Sequence, residues 1–163
     1  MEGSRLSLFR FPLPPAQPSS QPFAASGFAA DRPIIPLTVI GPRTAVQLYV
    51  VLDTGAECCL FAEWVAVRTG LGRTSAAPVA TMGSSVSRTG FPVWFERVGL
   101  QLNDPAGVGR PFRWPAVVGF TPVGSFWAGR ASGILGVNGG LDRFQRIEFD
   151  WSALGGPEVV VRV

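Results

Sequence analysis

Asp53 is the residue of this sequence best placed to do chemistry. It follows the apolar run Val50-Val51-Leu52 and is followed in turn by Thr54, Gly55 and Ala56. A carboxylate delivered at the end of a buried strand sits in low dielectric, where its protonation is open to tuning. Gly55 lets the backbone turn sharply beside it and brings an amide within reach of the carboxylate. Thr54 can hydrogen-bond across a symmetric junction. The same tetrapeptide also reads as an ordinary Asx-type turn between a strand and a loop.

The residues that are missing narrow the chemistry. The chain has 163 residues and no His, and all fourteen of its basic residues are Arg. Without His there is no Ser-His-Asp triad, Cys-His pair or histidine-ligated zinc. Without Lys there is no Schiff base, Ser-Lys dyad or phosphate-loop lysine. The two cysteines are adjacent, Cys58 and Cys59, and two thiols cannot make a structural zinc site. They read as small buried hydrophobes. Carboxylate acid–base work is the readiest chemistry left, with eleven Asp and Glu to supply it. No metal and no cofactor are expected.

The elements that must position Asp53 are strands. Gly (20) and Pro (15) are abundant and charged residues make only 15% of the chain, a turn-rich composition that disfavours a helical bundle. Residues 1–31 read as a Pro-rich flexible tail, with phenylalanines apolar enough to dock part of it on the body, and 32–163 as one domain. Pro33 to Ile40 is a short strand, with Pro36 marking an edge or a bend. Ala45 to Leu52 is a strand of the kind buried on both faces. Phe61 to Thr69 is a helix closed by Gly70. Val79 to Phe91 is a hairpin with small residues at its tip. Val93 to Leu102 and Phe112 to Phe120 are strands, and Gly124 to Ser132 is a loop. Gly133-Ile134-Leu135-Gly136 is a tight apolar segment, Gly140 to Gln145 a short helical turn, and Arg146 to Trp151 and Glu158 to Val163 late strands. The fold class is mostly β, a small closed barrel with one or two short helices.

Placed in that frame, Val50-Val51-Leu52-Asp53-Thr54-Gly55-Ala56 resembles the active-site motif of aspartic proteases in their retropepsin-like, single-domain form. Cys59-Leu60-Phe61, Trp64-Val65-Ala66 and Thr69-Gly70-Leu71-Gly72 are similar to the sequel found in bacterial members. Ala80-Thr81-Met82-Gly83-Ser84 stands where that family carries its flap, and Gly133-Ile134-Leu135-Gly136 resembles its second signature, followed by Val137-Asn138. The resemblance covers roughly residues 33–151. It implies that Asp53 is catalytic, that Thr54, Gly55 and Ala56 support its loop, and that Met82, Gly83 and Ser84 bind substrate. It also implies that Ile134, Leu135, Gly136 and Asn138 form a structural second motif, with Ile134-Leu135 packed under the Asp53 loop.

Aspartic proteolysis needs two carboxylates that share one proton and one water. The sequence holds a single Asp-Thr-Gly, so the dyad requires Asp53 of a second chain across a two-fold axis. The expected partners are therefore an identical chain, in a homodimer, and a peptide or protein substrate. The competing readings are a catalytically inactive peptide-binding or dimerisation module on the same fold, and a structural β-barrel with a coincidental turn. Glu57 reads as a solvated loop acid or a partner for Arg130 or Arg143. Asn138 reads as a turn residue or one that orients the interface. Trp94, Phe95, Trp114, Phe120, Phe126 and Trp127 are expected mostly in the core, with some lining a cleft. The charge of +3 is carried by scattered arginines, which gives no nucleic-acid footprint. The longest apolar stretch is broken by Pro115 and Pro122, so no membrane span is expected. Free thiols and a proline-interrupted N-terminus without signal-peptide character fit a cytoplasmic location.

Overall fold

A computed structural model describes residues 7–13, 33–72, 79–82, 90–122 and 131–163. The alternating and β-branched runs become ten strands: β1 (Leu8–Pro12), β2 (Ile34–Ile40), β3 (Ala45–Leu52), β4 (Leu60–Ala62), β5 (Val79–Met82), β6 (Phe91–Leu102), β7 (Phe112–Thr121), β8 (Ala131–Leu135), β9 (Arg146–Asp150) and β10 (Glu158–Arg162). One α-helix, α1 (Glu63–Thr69), and a 3₁₀ turn at Leu141–Arg143 complete the described elements. The protein is mostly β.

Seven strands form one sheet in the order β2-β3-β8-β4-β7-β6-β5. β6 also pairs back onto β2 through Thr38–Gln101, Val39–Leu100 and Ile40–Gly99, so the sheet curls round on itself. Inside the curl lie Leu37, Val39, Val50, Leu100, Val118, Phe120 and Leu135, each fully buried. Pro36 sits in the half of β2 that pairs with β3 alone, where its missing N–H costs no ladder bond on the other side. β3 alternates rather than being covered on both faces, as its composition had suggested. Leu48, Val50 and Leu52 point inward while Gln47 and Tyr49 are exposed. Val46 and Val51 are half-buried, enough to favour a strand without a second packed layer.

The expected helix from Phe61 is shorter at its start. Leu60–Ala62 is β4, fully buried between β7 and β8, and only from Glu63 does the chain coil. The β-partners available on both sides outweigh the helix propensity of those residues. Gly70 ends α1 as expected, at φ 83°, with its N–H returned to the last turn. Ala131 and Ser132, expected in a loop, belong to β8. Residues 123–130, which hold Phe126, Trp127 and Arg130, lie outside the described residues.

The tail expectation is corrected at its start. Leu8–Pro12 is a strand that pairs antiparallel with β10, Phe9 opposite Val161 and Phe11 opposite Val159. Phe9 and Phe11 are 1% exposed and belong to the main core. Alternation at 9 and 11 directs both rings to one face, and the gain from burying them offsets the cost of ordering a proline-flanked segment. Residues 14–32 lie outside the described ones. β10 is central in a three-stranded sheet, β1-β10-β9, so both of its edges are filled within one chain. β10 therefore offers no free edge for pairing with a second chain.

Candidate active site

β3 runs parallel to β8, with Val51 opposite Ile134 and Leu52 opposite Leu135, and Asp53 is the first residue past the end of β3. The Leu52 N–H donates to the Pro33 carbonyl at 2.8 Å and the Asp53 N–H to the Leu135 carbonyl at 3.2 Å. The strand end is thus held from both sides up to the acid itself. The chain then turns: the Ala56 N–H donates to the Asp53 carbonyl at 3.2 Å, and the Gly55 N–H to Asp53 Oδ1 at 2.9 Å. Among the described residues that amide is the carboxylate's hydrogen-bond donor. Asp53 is half-buried, and Thr54 and Gly55 are exposed. The loop presents one carboxylate at the surface of the chain with its tip open.

The segment after β8 braces this loop from beneath. Val137 and Asn138 donate their N–H groups to the Ala56 and Glu57 carbonyls, each at 2.9 Å, and Cys58 forms a parallel bridge with Asn138. Gly136 is where the two segments meet. A Cβ there would lie 2.3 Å from the Cys58 carbonyl oxygen and 2.8 Å from that of Ala56. The close approach therefore requires glycine. Leu135 is fully buried and its carbonyl accepts the Asp53 N–H, while Ile134, opposite Val51, is half-buried.

Cys59 is fully buried under the brace, its thiol facing the Gly136 and Asn138 carbonyls at 3.9 and 3.7 Å. Burial pushes the Cys59 thiol up to about 12, and burial together with the Glu57 charge raises that of Cys58. Both thiols stay protonated near neutral pH. Glu57 is exposed, and Arg143 pairs with Asp142 at 3.5 Å instead. Asn138 is exposed at the turn.

β5 and β6 form the expected hairpin stem, with Met82 opposite Phe91. Gly83 and Ser84, expected at its tip, lie outside the described residues. Trp94, Trp114 and Phe120 are buried in the core as expected. One contact is not legible in the sequence. The Trp114 indole N–H donates to the Gly139 carbonyl at 2.9 Å, tying β7 to the turn that braces Asp53. A buried indole N–H needs an acceptor, but nothing in the chain order says that this one lies 25 residues away.

No group of three or more His, Cys, Asp or Glu that could hold a metal occurs among the described residues. Nor is any described helix long and apolar enough to cross a membrane. No protein-family model matches the sequence, and no curated protein matches it. Solved structures do. A retropepsin-like aspartic protease from Rickettsia conorii superposes with a TM-score of 0.56 at 12% identity, covering 96% of this chain and 91% of that one. The EIAV protease in complex with an inhibitor aligns at a TM-score of 0.43 and 17% identity over 66% of this chain and 83% of that one. The curled sheet, the Asp-Thr-Gly loop at the end of β3 and the near-complete mutual coverage with the Rickettsia enzyme agree: this chain has the retropepsin-like fold.

Proposed function

We propose that the protein is an aspartic-type endopeptidase that acts as a homodimer. The observation that carries this reading is the Asp53 loop. It presents a half-buried carboxylate at the end of a doubly held strand, oriented by the Gly55 amide, with Thr54 and Gly55 exposed beside it. That is half of a two-carboxylate site. A second chain related by a two-fold axis supplies the other half, Thr54 lying near its own copy.

In the dimer one Asp53 is ionised and the other protonated. The ionised carboxylate takes a proton from a water held between the pair while the protonated one polarises the scissile carbonyl. Water attacks, the tetrahedral species collapses with proton transfer to the leaving nitrogen, and no covalent intermediate forms. An extended peptide binds by strand-like hydrogen bonds beneath the β5–β6 hairpin, whose Met82, Gly83 and Ser84 close over it.

The test is cleavage of a diverse peptide pool by the native chain and by Asp53→Asn, with sedimentation to follow the dimer. Hydrolysis that is abolished in Asp53→Asn and blocked by statine-type compounds supports the reading. Equal hydrolysis by both chains overturns it. A dimer that binds peptides and cleaves none is the inactive module on the same fold.

A further inference from the structure

We propose that Trp114 is a positioning residue for the Asp53 loop, acting through the turn at Val137–Gly140 by its indole N–H. The inference rests on Asp53 being catalytic and deepens that reading.

Gly140 is buried at the end of the turn, but Val137 and Asn138 are both exposed, so side-chain packing does not hold that part of it. Yet it supplies the two amides that fix the loop, Val137 to the Ala56 carbonyl and Asn138 to the Glu57 carbonyl. Its C-terminal side is gathered by the 3₁₀ turn, with Leu141 donating to the Gly136 carbonyl at 2.9 Å and Asp142 to that of Val137 at 3.1 Å. Its outer corner, Gly139, is held by the Trp114 indole. That indole is 6% exposed and wedged by aromatic neighbours, with Phe112 at 5.1 Å between ring centroids and Phe144 edge-on at 5.6 Å. These neighbours confine the ring. A rigid donor on β7 therefore sets where Gly139 sits, and through two backbone amides it sets where the residues after Asp53 sit. A site made of two meeting carboxylates tolerates displacement poorly, and about 1 Å of misplacement costs on the order of a hundredfold in rate.

A role in packing alone needs the ring, whereas positioning needs the N–H, and the two can be separated. Trp114→benzothienylalanine keeps the shape and replaces N–H with sulfur. Amide exchange at Val137 and Asn138 should then rise about five- to tenfold, as expected for one lost hydrogen bond. Exchange along β6 and β7 should not change, and kcat should fall with KM unchanged. Trp114→Phe, which loses the donor and part of the ring, should loosen the same two amides and also lower the melting temperature. Native exchange at both amides in the two variants overturns the proposal, as does raised exchange with unaltered kcat. The exchange readout needs no activity. A native chain that cleaves no peptide therefore overturns the protease reading, and the brace is still decided by exchange.

Discussion

At the scale of single residues, two side chains within seven positions face opposite fates. Asp53 is half-buried with its loop tip open, while Cys59 is sealed beneath the brace. On the proposed mechanism, replacing the Asp53 carboxylate by an amide removes both the base and the shared proton. Asp53→Asn should therefore lower kcat by a factor of about a thousand or more, with unchanged melting and dimer content, measured by peptide hydrolysis and sedimentation. Cys59 governs stability instead. Its folded thiol titrates at about 12 against 9.0 for the ordinary group. Between those values the unfolded chain releases the proton and the folded chain keeps it. Stability is thus intact below about pH 9 and declines as pH rises toward about 12. The chain has no Lys and one Tyr, so few other groups mask the effect. Urea unfolding near pH 10.5 should show a loss of ~2 kcal/mol relative to neutral pH. The loss should be largely absent in Cys59→Ser, leaving the smaller part of the same sign from Cys58.

At the scale of elements, the site is a meeting of two loops rather than a feature of one strand. The Gly136–Gly140 turn donates backbone hydrogen bonds to the carbonyls of the Asp53 loop at a separation that excludes any side chain at Gly136. A methyl group there would press on backbone atoms, which cannot move aside as a flexible side chain would. Gly136→Ala should cost about 1–3 kcal/mol or more in denaturant unfolding and displace the loop. Gly55→Ala is the contrast. Its new methyl would lie 3.2 Å from Asp53 Oδ1 and meet nothing else within 4 Å, at an exposed position. Stability should change by less than about 0.5 kcal/mol, and the effect should appear in hydrolysis.

At the scale of the whole molecule, the N- and C-terminal strands complete the fold within one chain. Phe9 and Phe11 on β1 and Val159 and Val161 on β10 share the core with the seven-stranded sheet. Phe11→Ala should destabilise the chain by about 3–5 kcal/mol, as a fully buried ring does, measured by thermal or urea unfolding. Truncation after Gly156 removes the central strand of the β1-β10-β9 sheet. It should unfold the chain rather than merely weaken a dimer, visible as loss of near-ultraviolet dichroism at every protein concentration. In the proposed homodimer the site is built from two copies. Specific activity should therefore fall on dilution below the dimer constant, with rate varying as the square of chain concentration.

The sequence by itself determined the local chemistry and most of the strands. The absence of His and Lys made carboxylates the readiest acid–base groups, and the run ending at Leu52 marked where one would be delivered. Gly70, Pro36 and the β-branched runs carried their conformations in their own covalent structure. The sequence left open which segments touch. Phe61 and Ala62 read as a helix start and instead belong to the strand Leu60–Ala62, because β7 and β8 offer hydrogen bonds on both sides. Phe9 and Phe11 sit in a stretch that reads as a tail and become core because β10, some 150 residues later, lies alongside. The brace under Asp53 depends on Gly136, Asn138 and Trp114 converging from two separate strands. Short-range pattern encodes φ and ψ preferences and which face is apolar. The choice of partner is made by long-range burial and by the need of every buried N–H and carbonyl for a mate, and only the folded chain satisfies those together.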